Sequence, residues 1–96
     1  MAVLTSEADR TDILNRLRRA EGQIRGVQRM IEEGESCLKV GQQVSAVRKA
    51  LDSTYLRMTM CFMRQELSNC LGPEELQNPG LGNMLKEMES LLARIN

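Results

Sequence analysis

Val40-Gly-Gln-Gln-Val-Ser-Ala-Val-Arg-Lys-Ala-Leu-Asp-Ser-Thr-Tyr-Leu-Arg-Met-Thr-Met-Cys-Phe62 carries apolar side chains at Val40, Val44, Val47, Leu51, Tyr55, Met58 and Phe62. The steps are 4, 3, 4, 4, 3 and 4 residues, the period of one helix face and not the alternation of a strand. Ser36 offers an N-cap oxygen just upstream, and after Gly41 neither Gly nor Pro interrupts the chain before Gly72. The spacing predicts one helix over about 36–69, which at ~1.5 Å per residue spans roughly 45–50 Å. A domain of 96 residues cannot cover so long a helix. Its exposed ends call for a second copy of the chain.

Upstream, Ile13, Leu17, Ala20, Ile24, Val27 and Ile31 step by 4, 3, 4, 3 and 4, predicting an amphipathic helix over about 11–33 that Gly34 stops. Downstream, Leu71 to Gly80 holds two prolines and two glycines and reads as a loop with one helical turn beginning at Pro73. Leu81, Leu85, Met88, Leu92 and Ile95 then predict a third helix over about 81–95. The short connection between the first two helices makes them antiparallel neighbours. The expected fold is all-α, a three-helix protomer in a single domain over residues 1–96 with a long central helix.

With no Trp, one Phe and one Tyr, the chain has few bulky groups with which to fill a monomeric core, which again favours association. The formal charge is zero but unevenly placed. Residues 10–29 hold six arginines against Asp12 and Glu21, whereas residues 66–96 hold two basic side chains against five glutamates. Any polyanion surface therefore lies in the first half. Met1 to Leu4 is too short for a signal-peptide core, and no apolar run approaches the ~20 residues of a membrane span. A cytoplasmic protein with no membrane partner is expected. Three cysteines, at 37, 61 and 70, form no paired framework and fit reduced thiols.

On a helix advancing about 100° per residue, Arg18, Arg25 and Arg29 fall in line opposite the apolar stripe, with Arg16 and Arg19 beside them. Guanidiniums on one rigid face can track phosphates, and Gln23 can add hydrogen bonds. Arg48, Lys49 and Arg57 on the second helix extend the patch. The bland alternative is a solvated helix face, but acidic partners are sparse there, where a salt-bridged surface helix interleaves the signs. Gly22 and Gly26, each costing up to ~1 kcal/mol relative to Ala inside a helix, point to close approach by a neighbouring helix or a phosphate backbone.

Cys37 falls in the first turn of the second helix, where the helix dipole favours a thiolate, although Glu32, Glu33 and Glu35 oppose it. Cys61 lies 24 residues further along, about 36 Å away at 1.5 Å per residue. The two meet only across an antiparallel partner helix. Met58, Met60 and Met63 cluster around Cys61 and offer thioethers to Cu(I), although methionine on an apolar helix commonly fills a core and each cysteine reads equally as a small buried hydrophobe. The absence of His and of any Cys-x-x-Cys argues against a closed zinc site. No nucleophile triad, phosphate-binding glycine loop or paired-carboxylate signature appears, so the chain does not read as an enzyme and requires no cofactor.

Asn15-Arg-Leu-Arg-Arg19, Glu21-Gly-Gln23, Arg25-Gly26, Arg29-Met30, Cys37 and Gln43-Val-Ser-Ala-Val-Arg48, in this order and spacing, resemble the CsoR/RcnR/FrmR family of small all-helical bacterial repressors. The likeness covers about residues 12–70. It implies a protomer that dimerises through antiparallel long helices, assembles as a dimer of dimers, and binds operator DNA with basic residues of helices one and two. Arg16 falls at such a position, and Arg48 and Lys49 lie in the helix-two region, while Ser53 stands where the family often has a base. The metal-binding members add to the helix-two cysteine a His and, four residues later, a Cys or His of the partner protomer. Cys37 matches the first, whereas Phe62 and Glu66 occupy the other two positions. The reactive-sulfur branch needs a cysteine where Glu66 stands, and the formaldehyde branch an N-terminal proline where Ala2 stands.

These observations lead to a transcriptional repressor, homodimeric or homotetrameric, that binds double-stranded operator DNA through Arg16, Arg18, Arg19, Gln23, Arg25, Arg29, Arg48 and Lys49. It is expected to let go when Cys37 is modified by reactive sulfur or an electrophile, with Cys61 of the partner as resolving thiol. The alternative effector is Cu(I), held by Cys37, Cys61 and Met60. A reading of another class is a helical interaction module whose arginine face docks an acidic protein.

Overall fold

The structure is a computed structural model that describes residues 3–72, 74 and 78–95. It is all-α, with helices α1 (Glu7–Glu32), α2 (Cys37–Leu71) and α3 (Pro79–Ile95). α1 and α2 pack antiparallel and α3 returns along α2. The 35 residues of α2, about 52 Å at ~1.5 Å per residue, set the length of the molecule, 55 Å on its longest axis.

Each helix begins earlier or ends later than hydrophobic period alone suggests, and the reasons are in the caps. α1 starts at Glu7, four residues before the expected position, because the Ser6 hydroxyl accepts the Asp9 N–H at 3.3 Å and Glu7 and Asp9 sit favourably in the first turn. That turn is polar and carries no periodic signal. α1 ends in a Schellman motif: Gly34, at φ +78, donates to the Ile31 carbonyl at 3.1 Å while the Glu35 N–H reaches Met30 at 2.9 Å. Two residues on, the Ser36 hydroxyl accepts the Lys39 N–H at 3.3 Å and opens α2 at Cys37. α3 starts at Pro79, not at 81. Proline in the first helical position forfeits no hydrogen bond, and the Asn78 side chain accepts the Gly80 N–H at 2.9 Å, so a Pro-Gly pair that reads as a breaker is the start of the helix. The helical turn expected from Pro73 lies outside the described residues.

The core is thin. Among the described residues its buried side chains are Ile13 and Ala20 from α1, Val47, Thr54, Met60 and Cys61 from α2, and Leu85 from α3. Thr54 meets its burial by donating its hydroxyl to the Ala50 carbonyl at 2.8 Å. Much of the expected core is instead on the surface: Leu17, Ile24 and Ile31 of α1, and Val44, Leu51, Tyr55, Met58 and Phe62 of α2, are all exposed, Tyr55 at 69 %. On the helical wheel these five α2 positions fall within about 60° of one another, beside the face turned to α1. On α1, Leu17 and Ile24 flank the buried Ile13–Ala20 line on one side, and Asp12, Arg16 and Gln23 flank it on the other. Since Asp12 pairs with Arg57, the polar edges of α1 and α2 lie together. The α1–α2 layer therefore has a polar flank, where α3 docks, and an apolar flank.

Candidate nucleic-acid interface and sensing thiol

On the polar flank, Arg16, Arg19 and Gln23 of α1 and Ala50, Ser53 and Thr54 of α2 border an open groove of about 220 Å³. The small side chains of Ala20 and Ala50 leave the space, and two guanidiniums, an amide and two hydroxyls rim it. This inventory suits a phosphate oxygen. Ser53, where the resemblance leads one to expect a basic side chain, is part of the rim.

The other expected basic residues spread around α1 and α2. Arg18, Arg19, Arg25 and Arg29 are exposed; Arg18 donates to Asn15 at 3.2 Å, and Arg25 pairs with Glu21 at 3.4 Å. The Arg25 pair is well solvated, so a phosphate can displace it at little cost. Lys49 lies on the groove side of α2, one turn before Ser53, whereas Arg48 lies about 100° from it around the axis, beyond the apolar stripe, and one protomer does not bring it to the groove. Arg57 does not extend the patch either. Its Nε donates to Asp12 Oδ2 at 3.1 Å and its Nη1 to Glu89 at 3.2 Å, while Asp12 Oδ1 accepts from Arg16 Nε at 3.1 Å. The four groups tie α1, α2 and α3 together. Arg57's hydrogen bond holds the Asp12 carboxyl below the usual carboxylate range, and Asp12 with Glu89 raises Arg57. The Asp12–Arg16 spacing was open to reading as an i,i+4 pair; Arg57 and Glu89 carry no sequence signal that joins them.

Nothing lies within 4 Å of a Cβ built on Gly22 or Gly26. A neighbouring helix of the same protomer is thus not the reason for these glycines. On the wheel they fall between Arg29 and Arg19, inside the arginine face.

The thiols separate into two kinds. Cys37 and Cys70 are exposed and Cys61 is buried at 3 %. Burial pushes the Cys61 thiol up, and the neighbouring Asp9 carboxylate pushes it further, so it is a poor nucleophile. Cys61 points to α1, about 120° around α2 from Cys37. The expected Cys37–Cys61 bridge between protomers thus joins one exposed thiol and one that is turned beneath α1 and buried in the protomer. Cys37 itself lies in line with Val44, Leu51, Tyr55 and Phe62. Gln65, on the edge of the same stripe, anchors the N-terminal arm, accepting the Thr5 N–H at 2.9 Å and its hydroxyl at 3.1 Å and donating to the Val3 carbonyl at 2.6 Å.

For Cu(I), which selects soft sulfur, these donors are poorly arranged. Met60, at 2 % exposure, and Cys61 are core residues on other sides of α2 from Cys37. Among the described residues no three His, Cys, Asp or Glu side chains gather as a metal site. One protomer does not fit a copper ion, and the expected set of Cys37, Cys61 and Met60 does not converge.

Residues 9–94 of the chain match the family described as metal-sensitive transcriptional repressor. The chain belongs to this family, and it is a transcriptional repressor and not an enzyme. It is 41 % identical over 81 residues to the copper-sensing transcriptional repressor RicR of Mycobacterium tuberculosis, covering 83 % of this chain and 80 % of that one. To the copper-sensing transcriptional repressor CsoR of Bacillus subtilis it is 40 % identical over 53 residues, covering 55 % of this chain and 52 % of the other. No solved structure matches the chain. No described helix is long and apolar enough to cross a membrane.

Proposed function

We propose that the protein represses transcription as a two-fold pair, binding double-stranded operator DNA with the arginine-bearing flank of α1 and α2 and releasing it when an effector reaches Cys37. The observation that carries this reading is the division of one layer into two flanks, a basic groove at Arg16, Arg19 and Gln23 and an uncovered apolar stripe that holds Cys37. The stripe supports an antiparallel pair through its spacing. On the stripe, Val44 and Met58 are equidistant from Leu51, as are Val40 and Phe62, so a copy turned about Leu51 lays Val44 on Met58 and Val40 on Phe62, while Val47, the counterpart of Tyr55, is held beneath α1. Self-complementarity of this kind is what a two-fold interface requires. The same rotation brings Cys37 beside Phe62, Gln65 and Glu66 of the other copy.

Cu(I) is the first effector reading. Both named relatives are copper-sensing, and Cys37 is the soft donor on the pairing face. The second reading, covalent modification of Cys37, is favoured by the side chains that would face it, an aromatic ring and a carboxylate at positions 62 and 66, which leave the thiol without a second soft donor. Titrating the reduced protein with Cu(I), and separately with polysulfide and formaldehyde, while following DNA release and intact mass, separates the two. Release with one Cu(I) per chain and no covalent adduct supports the first. Release with an adduct on Cys37 supports the second, and no release by any of them removes Cys37 from the account. Equal affinity for the promoter of its own transcription unit and for random duplex would remove the repressor reading.

A further inference from the structure

We infer that Asp12 is a positioning residue for DNA, one that holds the Arg16 guanidinium in a phosphate-binding pose although its own charge repels the ligand. The inference rests on the proposed binding of operator DNA by the Arg16 groove. Asp12 takes Arg16 by Nε alone, at 3.1 Å, and among the described residues the two Nη groups of Arg16 have no partner. A guanidinium pinned by Nε keeps its other donors for a second acceptor while losing little rotamer freedom when that acceptor arrives. Arg16 is also the member of the arginine set that is half-buried and borders the groove with Arg19 and Gln23. The rest of the network removes the obvious objection, that a carboxylate beside the groove should weaken phosphate binding. The second oxygen of Asp12 accepts Arg57 at 3.1 Å, so the charge of Asp12 is balanced from behind, and Arg57 is fixed in turn by Glu89 of α3 at 3.2 Å. Two carboxylates and two guanidiniums thus alternate across three helices, and the outermost guanidinium faces the groove. Supporting shells of this kind hold a functional group to the geometry it needs.

The test is fluorescence anisotropy of the full-length protein on its own promoter DNA and on a random duplex, with wild type, Arg16→Ala, Asp12→Ala, Asp12→Asn and the double variant Asp12→Ala/Arg16→Ala. Bare electrostatics predicts tighter binding whenever Asp12 loses its charge. Positioning predicts the reverse: Asp12→Ala binds both the promoter and the random duplex about three- to tenfold more weakly, approaching the loss in Arg16→Ala. Asp12→Asn loses the same charge but keeps an acceptor for Arg16 Nε, and recovers most of the promoter affinity. In the Arg16→Ala background, Asp12→Ala weakens promoter binding no further. Promoter binding by Asp12→Ala as tight as wild type, or an Asp12→Asn variant no better than Asp12→Ala, overturns the inference. Should Asp12→Ala lose helicity by circular dichroism, Asp12→Asn decides alone: promoter affinity at or slightly below wild type upholds the inference, and tighter binding overturns it. If Arg16→Ala leaves promoter binding unchanged, the groove is not the DNA surface and both readings fall, whereas a loss in Arg16→Ala with none in Asp12→Ala defeats the positioning role alone.

Discussion

Cys37 and Cys61 sit on one helix and are chemically opposite. Cys37 is in water at the helix start; Cys61 lies under α1 beside Asp9, where burial and a neighbouring negative charge both favour the neutral thiol. A thiol-reactive dye at pH 8 should therefore label Cys37 and Cys70 rapidly and Cys61 only at the rate of local unfolding. Equal labelling of all three in the folded protein would contradict the burial of Cys61. The Asp12 carboxyl is held below its ordinary value, so the stability it contributes is present above the unfolded-state value near about 4 and is lost as pH falls through the folded value. Between about pH 5 and pH 3 the urea midpoint of wild type should fall more steeply than that of Asp12→Asn. Parallel curves would show that the Arg57–Asp12 contact does not form in solution.

At the scale of elements, three helices were legible in the sequence because their apolar side chains keep a helical period over four turns or more, and Gly34 and Ser36 marked the turn between the first two. The starts of α1 and α3 were less legible. Ser6-Glu7-Ala8-Asp9 and Asn78-Pro79-Gly80 are capping chemistry without periodicity. The candidate site divides in the same way: Arg16, Arg19 and Gln23 follow from the period of one helix, while Ser53, Arg57 and Glu89 enter through contacts between helices. The period alone does not separate the side of α2 that α1 covers from the side left open, so the antiparallel crossing that places Cys61 opposite Cys37 does not by itself tell that Cys61 is buried. The turn makes its own prediction. Gly34 at φ +78 forms the Schellman link, so Gly34→Ala should lower unfolding free energy by about 1 kcal/mol and Ser36→Ala by about 1 kcal/mol, both read from urea denaturation. No loss in Gly34→Ala would mean that the α1–α2 connection differs from the one described.

As a whole molecule, the protomer exposes more large apolar side chains than it buries among the described residues, and Val44, Leu51, Tyr55, Met58 and Phe62 of α2 line one face, with Val44 and Met58 equidistant from Leu51. A solitary chain with that surface would aggregate or find a partner. Leu51→Glu places a carboxylate on the symmetry point opposite its own copy, and should convert the assembly to monomers in sedimentation at micromolar concentration, with operator affinity falling along with it. A wild-type protein that sediments as a monomer would refute the paired account outright. In the proposed pair, Cys37 of one copy would lie beside the segment that carries Gln65 of the other, and Gln65 holds the arm that leads into α1, a route from an effector at one end of α2 to the DNA flank.

The most direct test is promoter-DNA affinity measured with and without one equivalent of Cu(I) per chain, for reduced wild type and for Cys37→Ser. Wild type should bind its own promoter well above random duplex and lose that preference when Cu(I) is added, whereas Cys37→Ser should bind as tightly as wild type and keep its hold. Release from Cys37→Ser to the same extent as from wild type would contradict the account.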